Sequence, residues 1–271
     1  MRNGNAALHR ELTAALRAGG IEDPELEASW ILEDAHTPEQ AREIARRRAA
    51  HEPLQYLLGK WEFYGMPFYV GTGVLIPRAD TETLVEAVLA RVPDAPGQQI
   101  TDLCTGSGCI ALALAAHMTH TQFTGIDLSA AALEYARRNQ TLNGLRNARM
   151  CRADVLDAAA ASQYHDLAAV VCNPPYLTAA EMQQLQQEVQ YEPQEALAGG
   201  ADGLDFYRRI TELWRDSLRN GGLLAYEVGY EQADAVAALL AENSFSDIET
   251  VSDYNGIERV VLGRKHGSQK G

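Results

Sequence analysis

Long apolar runs are missing from this sequence. No segment approaches the ~18 consecutive apolar residues of a membrane span, and the opening MRNGNAALHRELTAALRAGG holds no apolar core of signal-peptide length. These absences predict a cytoplasmic protein with no membrane partner. Paired cysteines are missing too. Cys104, Cys109, Cys151 and Cys172 lie along apolar segments without CxxC spacing, which predicts reduced, mostly buried thiols and no metal site. Positive charge is scarce, with 23 Lys and Arg against 37 Asp and Glu and a net charge of −14. Such a surface repels phosphate backbones and argues against stable nucleic-acid binding. The densest basic run, Arg46-Arg47-Arg48, reads as a solvated helix face.

What is present is a chain of 271 residues, 46% hydrophobic, enough for one large domain with a small companion. Residues 1–60 read as a bundle of short helices. Ala6 to Arg17 has helical apolar spacing and stops at Gly19-Gly20, Pro24 opens a second helix reaching about Asp34, and Thr37-Pro38-Glu39-Gln40 is a capping signal. The aromatic and β-branched stretch from Trp61, WEFYGMPFYVGTGVLIP, predicts a β-hairpin over 61–77 that links the bundle to the remainder of the chain. From 78 to 264 strands and helices alternate. Strands are expected at 100–103, 122–126, 148–151, 167–171, 222–228, 248–251 and 259–262, with a helix from Thr81 to Val92 before them and helices between them, among them Phe206 to Leu218. The fold class is therefore α/β, a Rossmann-like domain whose seven-stranded sheet is mostly parallel, its last two strands pairing antiparallel. Residues 265–271 read as a flexible tail.

Chemistry gathers at strand ends, where open α/β sheets bind ligands. Thr101-Asp-Leu-Cys-Thr-Gly-Ser-Gly108 turns the first strand of this sheet into a helix, and Gly106 and Gly108 let backbone approach a ligand. Asp127 ends the next strand, 21 residues after Gly106, where a carboxylate accepts hydrogen bonds from both ribose hydroxyls. Asp154 comes after the third strand, within reach of an adenine edge. Gly106-Ser-Gly108-Cys-Ile-Ala111 also fits a dinucleotide fingerprint, so a nicotinamide or flavin dinucleotide and S-adenosylmethionine both remain open on these residues alone.

The stretch VVCNPPYL, Val170 to Leu177, separates the two. Pro174 and Pro175 fix φ and carry no NH, so the carbonyls of Asn173 and Pro174 are presented from a stiff backbone. With the Asn173 side chain they form paired acceptors for a planar NH2 group, to which Tyr176 offers a ring face. Accepting both hydrogens raises electron density on a delocalised amide or arylamine nitrogen and aligns it with a methyl donor. A hydride transfer has no use for this device.

DLCTGSG, GID and NPPY together resemble the class I S-adenosylmethionine-dependent methyltransferases of exocyclic and amide nitrogens. LIPRADTE before the glycine turn, YEPQEALAGGADGLDFYRRI after NPPY and the final DYNGIERVVLGR are similar to the release factor glutamine N5-methyltransferases, the PrmC or HemK family. The resemblance implies methyl transfer from S-adenosylmethionine to the N5 of the glutamine in the Gly-Gly-Gln loop of peptide-chain release factors. It implies a donor lying along Cys104, Thr105, Gly106, Ser107 and Gly108, with Asp127 on the ribose and Asp154 and Val155 flanking the adenine. Asn173, Pro174, Pro175 and Tyr176 would hold the amide, and the helical domain would grip the release factor. DLCTGSGC is closer to the turn of sister enzymes that methylate a glutamine of a large-subunit ribosomal protein. An adenine N6 amine presents the same NH2 geometry, so a DNA adenine methyltransferase is a further alternative, as is an adaptor that has lost turnover.

Three further stretches carry expectations. Arg78 and Asp80 either support the site or cap the next helix. Glu227, at the end of the fifth strand of the sheet, either meets a substrate channel or is surface. Glu181 to Glu188 reads as a polar helix over the site.

Overall fold

The computed structural model describes residues 2–266. Four helices come first, α1 (Arg2–Ala18), α2 (Pro24–Asp34), α3 (Pro38–Arg48) and α4 (Leu54–Leu58). They close on Leu12, Leu16, Ala28, Ile31, Ala41 and Leu54, because each carries an apolar stripe at helical spacing. Thr37 caps α3, its Oγ1 accepting from the Gln40 amide at 3.1 Å. Arg46 and Arg47 are exposed as expected of a solvated face, but Arg48 is not. It is 9% exposed and donates to both carboxylate oxygens of Glu27, at 2.7 and 3.1 Å, and to Glu188 at 2.9 Å. Such a pair survives burial because the geometry is bidentate.

The hairpin comes next as β1 (Lys60–Phe63) and β2 (Met66–Tyr69), antiparallel, with Trp61 edge-to-face against Trp30 of α2 at 5.7 Å. Then come α5 (Glu82–Arg91), β3 (Gln99–Leu103), α6 (Cys109–His117), β4 (Gln122–Asp127), α7 (Ala130–Leu142), β5 (Ala148–Arg152), α8 (Ala158–Ala161) and β6 (Leu167–Cys172). The chain continues with α9 (Asp205–Trp214), β7 (Leu218–Glu227), α10 (Ala233–Glu242), β8 (Phe245–Ser252) and β9 (Glu258–Lys265). The sheet order is β5-β4-β3-β6-β7-β9-β8, parallel from β5 to β7, with β9 antiparallel to both its neighbours.

Every residue of β6 is buried, as a strand covered on both faces requires. Its alternate residues enter two cores. Ala169 and Val171 pack with α5 and α6, while Val170 and Cys172 pack with Ile210 and Trp214 of α9 and Leu240 of α10. Some boundaries differ from expectation. The helix expected to reach Leu218 ends at Trp214, and β7 starts at Leu218 instead, crossing the polar Arg219-Asn-Gly-Gly222 stretch before its apolar half. The short α8, capped by Asp157, has no apolar periodicity to announce it, being four alanines. Of the expected tail, Lys265 belongs to β9 and residues 267–271 lie outside the described residues.

Asp102, inside β3, is 1% exposed, and among the described residues only one of its carboxylate oxygens finds a hydrogen-bond partner. Oδ2 accepts from Thr105 Oγ1 at 2.5 Å and from the Ala111 amide at 3.3 Å, bracing the turn between β3 and α6. Burial raises its pKa from 3.8 to about 7, against the opposing Thr105 bond. The folded state therefore holds a proton that the unfolded chain releases, and stability falls as pH rises from about 4 toward 7. Asp102→Asn should flatten that fall by up to about 1.4 kcal/mol per pH unit. Urea unfolding between pH 5 and pH 7 checks it, and an unchanged slope would show that Asp102 is not the proton holder.

Candidate functional site

Three parallel pairings set the site. Leu103 is level with Ile126 on one side and Cys172 on the other, and Cys172 is level with Tyr226. The next residues along these strands, Asp127, Cys104, Asn173 and Glu227, therefore emerge side by side at one rim. The turn after β3 is held on several sides. The Thr105 amide donates to Ile126 O at 3.0 Å, and the Gly106 amide to Asp127 Oδ2 at 2.8 Å. Asn139, fully buried on α7, donates to Ser107 O at 2.9 Å and to Tyr69 O at 3.1 Å, and accepts from the Tyr69 amide at 2.6 Å. One amide thus ties the glycine turn to the hairpin. Cys104 takes φ 55, the left-handed region that favours glycine.

Beside this turn lies a cavity of about 360 Å³. Cys104, Thr105, Gly106, Ser107, Asp127, Asp154 and Val155 line it, together with Asn173 and Pro175. A Cβ on Gly106 would have no neighbour nearer than Cys104 O at 3.9 Å, so the missing side chain leaves backbone facing open space. Gly108 does not line the cavity. A Cβ there would press Leu112 and Ala136 at 3.1 and 3.2 Å, so this glycine serves the packing of α6 on α7. Asp127 accepts from the Ser129 amide at 2.8 Å through its other oxygen, leaving each oxygen a free lone pair. Burial raises its pKa, against the Ser129 and Gly106 amides. Asp154, at the mouth, accepts from the Leu156 amide at 2.9 Å.

A second cavity, also of about 360 Å³, lies on the other side of Asn173. Pro174, Tyr176, Leu177, Arg78 and Glu227 line it. Asn173, Leu75, Arg78 and Ala196 border both spaces, so the two cavities share a wall. Asn173 is oriented by Thr81, a residue its sequence context did not single out: Nδ2 donates to Thr81 Oγ1 at 3.4 Å, turning Oδ1 elsewhere. Tyr176 is gripped by glycines. A Cβ on Gly199 would meet Tyr176 Cα at 2.5 Å, and one on Gly229 would meet its ring at 2.9 Å. The Tyr176 carbonyl accepts from Gln232 Nε2 at 3.0 Å, and Leu177 exchanges backbone bonds with Leu197 and Gly199 at 2.9 and 2.8 Å.

Residues 181–188, expected as a helix, do not form one. Thr178 and Glu181 exchange reciprocal bonds at 2.7 and 3.2 Å that start a turn, but only short 3₁₀ turns form, at Glu181–Gln183 and Val189–Tyr191. Its apolar residues, Met182 and Leu185, are only half-buried, and Leu185 lines the second cavity rather than a helix seam, so a helix this short has little packing to hold it. Glu188 is held instead by Arg48 and His51, each at 2.9 Å. Burial pushes the Glu188 pKa up, but His51 and Arg48 outweigh it and hold the carboxyl down at about 2.

Asp80 does not cap a helix; its carboxylate pairs with Arg259 of β9 at 2.9 Å. Arg78 pairs with Glu192, whose other oxygen accepts from the Ile76 amide at 2.9 Å, and Glu192 is 4% exposed. This joins LIPRADTE to the YEPQEAL segment, and Pro193, Glu195 and Ala196 of that segment help enclose the first cavity. Glu227 is not surface: it is 3% exposed.

Comparison with known proteins places the chain. A family model described as methyltransferase small domain matches residues 78–203. The chain is 42% identical over 250 residues to a release factor glutamine methyltransferase of Thermodesulfovibrio yellowstonii, covering 91% of this chain and 86% of that protein. It is 41% identical over 264 residues to one of Geobacter sulfurreducens, covering 90% and 91%. A solved methyltransferase from Pyrococcus furiosus, 15% identical, shares the fold at a TM-score of 0.56 over 84% of this chain and 98% of that one. With two cavities meeting at an Asn-Pro-Pro-Tyr wall and relatives this similar over nearly its whole length, the chain belongs to the release factor glutamine methyltransferase family.

Proposed function

We propose that this protein transfers a methyl group from S-adenosylmethionine to the side-chain amide nitrogen, N5, of the glutamine in the Gly-Gly-Gln motif of peptide-chain release factors, acting in the cytoplasm. The observation that carries the reading is the shared wall: Asn173 borders both a glycine-turn cavity and a second cavity lined by Pro174 and Tyr176. The names of the relatives supply the release factor.

The first cavity suits S-adenosylmethionine. The bare backbone at Gly106, the paired lone pairs of Asp127 and the carboxylates of Asp127, Asp154 and Glu195 along its lining match a ribose and a cationic donor. Cys104 to Ser107 would lie along it, with Gly108 closing the turn behind them, Asp127 on the ribose, and Asp154 and Val155 at the adenine. S-adenosylmethionine supplies an electrophilic methyl group on a sulfonium. The chain's own residues do the rest. Asn173 Oδ1 and the Pro174 carbonyl accept the two amide hydrogens, concentrating electron density on nitrogen and fixing its direction toward the first cavity. Pro174 and Pro175, both buried, keep these acceptors from relaxing. Tyr176 walls the amide plane.

The test is transfer of labelled methyl to purified release factors, with ribosomal proteins and bare DNA in parallel. Label should appear on a release factor and vanish when the loop glutamine is alanine; label on a ribosomal protein or DNA instead would overturn the substrate. Asn173→Ala should lower kcat roughly 10²–10³-fold while donor affinity, by calorimetry, stays within a few fold. Thr81→Val should act in the same direction by less, on the order of tenfold, through misaligned Asn173. Asp127→Ala should do the reverse, weakening donor binding roughly ten- to a hundredfold for a lost charge-assisted pair of bonds. Equal loss of binding in the Asn173 variant would place that side chain in the donor pocket alone.

A further inference from the structure

Glu227 takes no part in holding the donor or the amide plane, yet its position is demanding. It ends β7 beside Asn173, is 3% exposed, and lines the acceptor cavity but not the donor cavity. Its Oε2 has no hydrogen-bond partner among the described residues. The charged groups around it are committed elsewhere. Arg259 pairs with Asp80 at 2.9 Å and with Asp253 at 3.3 Å, and Arg78, across the cavity, pairs with Glu192. The phenols of Tyr176 and Tyr207 and the thiol of Cys109 also face it, all with pKa values that burial raises. A buried carboxyl with one oxygen left unbonded against a reactive wall is a functional candidate, because an ionised group in such a place is otherwise expensive to hold.

We propose that Glu227 is a catalytic residue, its carboxylate receiving the proton that the amide nitrogen sheds on methylation. This rests on the proposed function. The nitrogen lone pair forms the new N–CH3 bond as the C–S bond breaks, its electron pair passing to sulfur and leaving a neutral thioether. The nitrogen then carries two hydrogens and a positive charge. One N–H bond breaks, its electrons returning to nitrogen, and the proton moves to a Glu227 oxygen, which later releases it to water. Asn173 and Pro174 accept these hydrogens as hydrogen bonds, but a neutral carbonyl cannot keep a proton near neutral pH, whereas a carboxylate can. Burial lifts the Glu227 pKa to about 7, with Thr81 the chief opposing influence, then Arg259. This places it where a proton acceptor works best near neutral pH. Protonated, Glu227 can neither take the proton nor oppose the developing positive charge.

The experiment is single-turnover methylation of a release factor at saturating donor, from pH 5.5 to 8.5, for wild type and Glu227→Gln. The wild-type rate should rise about tenfold per pH unit below about 7 and then level. Glu227→Gln should lose that limb and fall roughly 10²–10⁴-fold with donor affinity unchanged. A wild-type profile flat across this range overturns the inference even if the variant does not fold, as does a folded variant with wild-type rate and profile. A wild type that labels no release factor at any pH overturns the function reading itself, and the inference with it.

Discussion

The register between β3 and β6 is the constraint on which the rest depends. Because Leu103 is level with Cys172, the glycine turn and the Asn-Pro-Pro-Tyr turn leave the sheet as neighbours. Parallel strands hydrogen-bonded on both sides cannot slip without turning every side chain to the opposite face, and here both faces are packed cores. The same level row carries Asp127 on one flank and Glu227 on the other. A site that must hold two molecules with a reacting pair of atoms in line is thus positioned by the stiffest part of the fold, and loops contribute walls rather than alignment.

Electrostatics divides the two cavities. Asp127, Asp154 and Glu195 surround the first, consistent with a ligand that carries positive charge and with the acidity of the chain as a whole. The second adds Pro174 and Glu227 to the shared Asn173, and the guanidinium that borders both, Arg78, has its charge already answered by Glu192. A neutral amide needs no countercharge, and beside it that cavity places the Asn173 and Pro174 acceptors and the buried carboxyl of Glu227.

The succession of strands and helices along the chain and the residues at the strand ends were legible because each is written locally. Strands show as buried apolar runs, turns as glycine and proline, and Asp127 and Asn173 stand at the ends of their strands. What stayed hidden depends on pairs distant in sequence. Thr81 matters through Asn173, Glu192 through Ile76 and Arg78, and Asn139 through Tyr69 and Ser107, and neither partner announces the other. Glu181 to Glu188 misled in the opposite way. Its residues favour a helix, but Met182 and Leu185 are only half-buried, and Glu188 is held by its cations instead. Arg48 reads as one more surface arginine until the fold brings Glu27 and Glu188 around it.

That last cluster has a bearing on how the molecule can be taken apart. Glu188 sits between residues that wall the acceptor cavity, Gln186 and Val189, and its partners Arg48 and His51 belong to the helical start of the chain. An arch of hydrogen bonds therefore runs from α2 through α3 to the cavity wall. Cutting the helices away would leave the wall with a carboxylate and no abutment, so grafting this sheet onto a different N-terminal module means carrying the keystone, Arg48, along with it.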